Sequence, residues 1–187
     1  MPSILIYGYG NPGRQDDGVG PALVTALEEW LAQETNSKRP KAEGKSEVGG
    51  GGEHSKIENR KSKIRIILDA NYQLNAEDAL AVSKHGQAIF VDAVKDGAEP
   101  FSFRPLTPTT TVTFSTHAMP PEAVLALCRE LYGKCPDTYL LAIRGHAWEP
   151  NAPMTPEATA NLAAALAFLK QQLSSMFCFG ISFDLSA

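Results

Sequence analysis

Short, almost uninterrupted apolar runs at residues 4–7, 64–68 and 88–91 alternate with segments of helical periodicity, and this alternation restricts the fold more than any other feature. Strands that are apolar on both faces are buried on both faces, which is the situation of a parallel sheet covered by helices. Parallel strands need crossover connections, and the intervening segments have the length and pattern of helices. The chain therefore reads as an α/β protein, a three-layer sandwich with a mostly parallel sheet of about five strands flanked by helices.

The individual segments agree with that reading. Residues 21–33 place Leu23, Val24, Leu27, Trp30 and Leu31 along one helical face. A helix over 76–84 starts with Asn75 as N-cap and Asp78 three residues later, a capping-box arrangement. Residues 101–106 suit an edge strand, because Pro105 has no N–H to give to a ladder. A helix over 121–132 opens on proline, and 138–144 is the next strand. The last helix has Thr155 as N-cap, Pro156 at its first position and Glu157 at its positive end, and runs to about residue 173.

The 187 residues fit one domain. Residues 35–63 break its pattern: Lys, Glu, Ser and Gly crowd there, four glycines stand at 49–52, and large apolar residues are nearly missing. That composition predicts a disordered insertion within the domain. Ser55-Lys56-Ile57 recurs as Ser62-Lys63-Ile64, too short an echo to be a structural repeat. The tail at 176–183 is apolar and needs a surface to pack on, either the sheet edge or a partner.

Charge and cysteine content exclude several function classes. A net charge of −4 offers no field to draw the chain to nucleic acid or to an anionic membrane. Cys128, Cys135 and Cys178 are odd in number and form no C-x-x-C pair, which argues against a disulfide framework or a zinc ribbon and for a reducing compartment, the cytoplasm. The N-terminal residues lack the basic and long apolar regions of a signal peptide, and no stretch has the roughly 20 apolar residues of a membrane span. No serine or cysteine occupies a G-x-S-x-G elbow.

Chemistry concentrates in Gly8-Tyr9-Gly10-Asn11-Pro12-Gly13-Arg14-Gln15-Asp16-Asp17-Gly18-Val19-Gly20, directly after the first strand. Gly8, Gly10 and Gly13 match G-x-G-x-x-G, the turn that lets a backbone approach a pyrophosphate, and Asp69 after the second strand would then bind a ribose. Against a dinucleotide, Asp16 and Asp17 put two carboxylates where a diphosphate would sit. They suit a cation, or else they cap the helix that follows. Asp92 ends the third strand, on the side of an open α/β sheet where ligands gather; the alternative is a turn aspartate bonding its own backbone. His117 follows a threonine-rich run and precedes a helix, where a lone histidine is commonly structural or exposed. Together Asp17, Asp92 and His117 would make an O,O,N set with coordination positions left open for substrate or water.

Gly8-x-Gly10-Asn11-Pro12 followed by Asp16-Asp17-Gly18-x-Gly20 resembles the N-terminal signature of the hydrogenase maturation endopeptidases. The similarity continues through Tyr72-Gln73-Leu74 with Glu77-Asp78, Phe90-Val91-Asp92-Ala93, Ser115-Thr116-His117 and Leu140-Leu141-Ala142-Ile143-Arg144-Gly145. The resemblance implies metal binding and catalysis by Asp17, Asp92 and His117, and removal of the C-terminal extension of a NiFe-hydrogenase large-subunit precursor. It also implies that nickel arrives with the precursor, with other divalent ions able to occupy the site in vitro. Two carboxylates and one imidazole hold a borderline divalent ion less firmly than thiolates or three histidines, consistent with a metal shared with a substrate.

Other residues receive weaker readings. Asp16 is a helix cap, or a carboxylate supporting the metal site or serving as general base; Asn11 fixes the turn or donates to an oxyanion. His54 and His85 read as exposed, and Cys128 and Cys135 as core or surface thiols. His146 follows a strand on the ligand side of the sheet, where the resembling family suggests an aromatic, so its role is open. Two other functions stay in view: a dinucleotide-binding oxidoreductase, and a hydrogenase-subunit chaperone without catalysis.

Overall fold

The structure is a computed structural model that describes residues 3–37, 56–58, 64–109 and 119–179. Its centre is a six-stranded sheet in the order β2-β3-β1-β4-β6-β5. The strands are β1 (Ser3–Tyr9), β2 (Lys56–Glu58), β3 (Arg65–Asn71), β4 (Gln87–Val94), β5 (Phe101–Leu106) and β6 (Asp137–Arg144). β3, β1, β4 and β6 pair in parallel, while β2 and β5 run antiparallel at the two edges. The helices are α1 (Val19–Ser37), α2 (Asp78–Ser83), α3 (Pro121–Tyr132) and α4 (Pro156–Phe179).

Two apolar clusters divide the helices between the faces. Ile4, Ile6, Ile89, Val91, Leu141 and Ile143 pack with Leu23 and Leu27 of α1 and with Leu169 and Leu173 of α4. Leu5, Tyr7, Phe90 and Leu140 pack with Val82 of α2 and with Val124 and Cys128 of α3. Successive residues of a strand point to opposite faces, so two helical layers bury every residue of β1 from Ile4 to Tyr7. The expected three-layer α/β sandwich is the observed one.

The differences from the sequence reading are local. Of the stretch 35–63 predicted to be disordered, residues 35–37 continue α1 and 56–58 form β2, pairing Ile57 with Ile66; the remainder lies outside the described residues. A sixth strand results. The capping box before α2 is half formed, with Asn75 N–H donating to Asp78 Oδ2 at 2.7 Å while the Asn75 side chain turns to Gln73. α4 starts as expected, Ala158 N–H donating to Thr155 Oγ1 at 3.1 Å, and extends past residue 173 to Phe179. The rest of the apolar tail, 180–187, lies outside the described residues.

The connection from β1 runs through α1 to β3 on one side, and the chain then returns through α2 to β4 on the other side of β1. Such a reversal opens a crevice at the carboxyl ends of the two diverging strands. The β1–β4 ladder ends at Gly8 and Val91, so Tyr9 and Asp92 flank the opening; Asp92 does not end its strand as expected, because β4 runs on beside β6 to Val94. Among the described residues no helix is long and apolar enough to cross a membrane.

Candidate active site

Gly8, Gly10 and Gly20 are accounted for by packing and backbone geometry. A Cβ on Gly8 would overlap the Gly20 carbonyl, and one on Gly20 would overlap the Tyr9 carbonyl, so β1 and the start of α1 meet backbone to backbone. Gly10 has φ +133°, outside the range of L side chains, and a Cβ there would overlap the Asp17 carbonyl. Its N–H donates to Asn71 O of β3 at 3.2 Å. Asn11 Oδ1 accepts from Gly13 N–H at 2.8 Å, the turn-fixing role. A short 3₁₀ turn, Gln15–Gly18, then separates the loop from α1.

This 3₁₀ turn separates the two neighbouring acids. The Asp16 side chain points inward and is fully buried, at 0% exposure. Its carboxylate accepts hydrogen bonds from the N–H groups of His146 (2.8 Å), Ala147 (3.0 Å) and Thr155 (2.7 Å) and from Thr155 Oγ1 (2.8 Å). Burial alone raises the proton affinity of this carboxyl, but those donors outweigh it and hold the group below the ordinary aspartate range. Asp16 thus spends its oxygens on the β6–α4 loop. It supports the start of α4 through Thr155, not the helix that follows it in sequence, and a sealed carboxylate of this kind is no general base for a substrate.

Further bonds bind the same two loops: Asp16 N–H to Ala147 O (3.2 Å), Asn151 N–H to Gly13 O (2.8 Å) and Glu149 N–H to Gln15 Oε1 (3.0 Å). The last of these holds Gln15, whose φ of +51° lies in the left-handed region. His146 contributes its backbone to Asp16, while its Nε2 lies 3.0 Å from Glu99 Oε1, which also accepts from Asn161 Nδ2 at 3.1 Å.

Asp17, the second acid, is half-buried, and its Oδ2 accepts from Asn11 N–H at 3.1 Å. Asp92, also half-buried, takes Ala93 N–H on Oδ1 at 2.8 Å, so the turn-aspartate contact exists. Burial pushes the Asp92 carboxyl up to about 7; the nearby Tyr9 hydroxyl and the Ala93 N–H pull the other way, and the charge of Asp17 raises it further. Burial and the neighbouring Asp92 likewise keep the Tyr9 phenol protonated far above its usual range.

The structure thus brings two of the three anticipated ligands to one end of the sheet, close enough for one charge to act on the other. A buried carboxylate with a second carboxylate nearby in a crevice forms a donor set that a divalent cation would relieve, which fits a metal-binding role. His117 lies outside the described residues, and among the described residues no group of three His, Cys, Asp or Glu side chains is arranged to hold a metal ion. Asp69 bonds the next backbone N–H, Ala70, at 2.9 Å. His85 is half-buried, with Nδ1 3.0 Å from Ser3 Oγ, which corrects the expectation of an exposed side chain; His54 lies outside the described residues. Cys128 is a buried thiol and Cys135 an exposed one.

No family model matches the sequence, and no curated protein matches it. Solved structures do. The NiFe-hydrogenase maturation protease HycI from Thermococcus kodakarensis aligns over 90% of this chain and 90% of its own, with a TM-score of 0.59 at 18% identity. The hydrogenase maturating endopeptidase HybD from E. coli aligns over 96% of this chain and 94% of its own, with a TM-score of 0.56 at 18% identity. An endopeptidase from Escherichia coli gives 0.59 at 19% identity over 96% and 94%. This chain has the fold of the hydrogenase maturation endopeptidases. The shared architecture extends over nearly the whole chain, so those resembling segments that lie among the described residues sit on the fold they imply.

Thr155 was not singled out from sequence as a partner of Asp16. Thr155 is legible only as a helix cap, because its bond to Asp16 spans 139 residues.

Proposed function

We propose that this chain is a metal-assisted endopeptidase that removes the C-terminal extension of a NiFe-hydrogenase large-subunit precursor. The observation that carries the reading is the convergence of Asp17 and Asp92 at the crevice between β1 and β4, in a fold shared with endopeptidases of that maturation step. The nickel belongs to the precursor, and Asp17, Asp92 and His117 recognise it there. Bound, the ion supplies Lewis acidity for the scissile carbonyl or for a water.

The protein's own contribution is position. The Asn11 N–H orients the Asp17 carboxylate, and the Ala93 N–H orients that of Asp92. Asp16 ties the turn bearing Asp17 to the β6–α4 loop, so the carboxylate rests on a braced backbone. Preorganised ligands of this kind lower the cost of holding the precursor with its scissile bond at the crevice.

The test is processing of a nickel-loaded precursor, read as the mass loss of its C-terminal extension. Single replacements Asp17→Ala, Asp92→Ala and His117→Ala should each leave the fold intact and abolish the mass change. Wild-type rates in all three variants would overturn the reading, as would stabilisation of the chain by NAD or NADP without any by nickel or cadmium ions.

A further inference from the structure

We propose that Arg144 is the anion-binding residue of this site: its guanidinium receives the carboxylate that hydrolysis leaves at the new C-terminus of the processed protein. The inference rests on the functional reading above and adds a substrate-binding residue to it.

Strand register places the residue. β4 and β6 are parallel neighbours, with Asp92 paired to Ala142 and Val94 to Arg144, the last residue of β6. Phe90 and Val94 of β4 pack on the side of α2 and α3, as do Leu140 and Ala142 of β6. Residues two apart along a strand share a face, so Asp92 and Arg144 belong to that same side. With strands about 4.8 Å apart and a rise of about 3.3 Å per residue, their Cα atoms are roughly 8 Å apart. An extended arginine side chain covers most of such a distance.

The backbone of Arg144 is fixed while its charge is held only loosely. Its N–H donates to Pro100 O at 3.1 Å, and its carbonyl accepts from Nδ2 of the buried Asn161 at 3.0 Å. The side chain is only 27% exposed, yet its ion pair is with the fully exposed Asp96, at 3.8 Å. That separation is beyond hydrogen-bond length, and exposed pairs of this kind contribute little, so an incoming anion displaces Asp96 at small cost. Glu99, on the same loop as Asp96, is engaged by His146 Nε2 at 3.0 Å and Asn161 Nδ2 at 3.1 Å.

Arg104 supplies a contrast on the same face. It pairs in register with Leu140, and its Nη2 donates to Glu122 Oε1 of α3 at 3.3 Å. That guanidinium already has its carboxylate; among the described residues Arg144 has none so close.

The reaction supplies the missing partner. In peptide hydrolysis the water oxygen bonds to the carbonyl carbon, the C–N bond breaks with its electron pair on nitrogen, and both water protons end on the departing amine. The carboxylate forms where the scissile carbonyl lay, at the end of the sheet that carries Asp17 and Asp92. Those two groups repel it, and a guanidinium fork fixed on the Asp92 side supplies the opposite charge in a geometry that fits a carboxylate.

The experiment uses the full chain at pH 8 with a metal chelator, so that a metal-bound carboxylate cannot account for the result. The probe is a peptide of the last ten residues of the processed large subunit, made with a free C-terminal carboxylate and with a C-terminal amide. By calorimetric titration the wild type should bind the acid roughly 10-fold or more tightly than the amide. Arg144→Gln should bind both alike, Arg144→Lys should restore part of the preference, and Arg104→Gln should keep all of it. Equal affinity of the wild type for the two peptides, or binding of neither, overturns the proposal without recourse to any variant. So does an undiminished preference in Arg144→Gln. Processing of nickel-loaded precursor by the wild type, read as mass loss, separates the two claims: normal processing without an acid preference overturns the role of Arg144 alone, and absence of processing overturns both.

Discussion

Asp16 accepts both the backbone N–H and the hydroxyl of Thr155, at 2.7 and 2.8 Å, and the same Thr155 hydroxyl accepts from Ala158 N–H in the first turn of α4. One buried carboxylate thereby holds the first loop of the protein to the start of its last helix. Hydrogen bonds to a charged acceptor contribute roughly 1.5–3 kcal/mol each, and a buried donor left without a partner costs roughly 1–3 kcal/mol. Asp16→Asn should destabilise the fold by about 2–4 kcal/mol, since its NH₂ faces donors where an acceptor is needed, and Thr155→Val by about 1–2 kcal/mol. In urea unfolding the double variant should lose less than the two single losses combined, because both remove the same contact.

The same carboxylate sets an acid limit on stability. Its folded proton affinity lies below the ordinary aspartate value of about 3.9, so the unfolded chain binds the proton more readily. The stabilisation is complete above that value and disappears as pH falls through the lower, folded one. Urea midpoints followed downward from pH 5 should fall more steeply for the wild type than for Asp16→Asn.

Asp92 predicts the opposite slope. Burial holds its carboxyl at about 7 in the folded chain, above the unfolded value, so the folded state keeps a proton that the unfolded state releases. In chelator-treated protein this site should therefore cost stability progressively between about pH 4 and pH 7 and by a constant amount above. Asp92→Asn, which still accepts from Ala93 without a charge, should unfold at a higher temperature than the wild type at pH 8 and lose that advantage at pH 4. Equal midpoints at both pH values would show that Asp92 carries no burial penalty.

The layered fold was legible because its signal is local: runs such as Ile4 to Tyr7 and Ala88 to Val91 report burial on both faces without reference to any other segment. Asp92 stands out for a similar reason, as an acid directly after such a run, although β4 continues two residues past it to Val94. Of the readings open for Asp16, sequence could not choose, because its partners His146, Ala147 and Thr155 are 130 to 139 residues away. β2 escaped because three ordinary residues, Lys56, Ile57 and Glu58, pair at an edge inside a segment whose composition is otherwise that of a disordered chain.

The glycines separate the packing account from the dinucleotide account. In a pyrophosphate turn, Gly8, Gly10 and Gly13 each serve the ligand or the helix behind it. In this structure their environments differ: Gly10 has φ +133° and no room for a Cβ beside the Asp17 carbonyl, while a Cβ on Gly13 would meet only Asn11 Oδ1, at 3.2 Å. Gly13→Ala asks a side chain to move by a few tenths of an ångström. Gly10→Ala forces a strained backbone, a cost of roughly 1–3 kcal/mol before the clash is counted, and pushes on the peptide that carries Asp17. Gly10→Ala should therefore lower thermal stability and abolish Cd²⁺ binding, whereas Gly13→Ala should keep both near wild type. Loss of binding in Gly13→Ala equal to that in Gly10→Ala would mean that the turn holds its ligand through its backbone, as a phosphate site does, and not through Asp17.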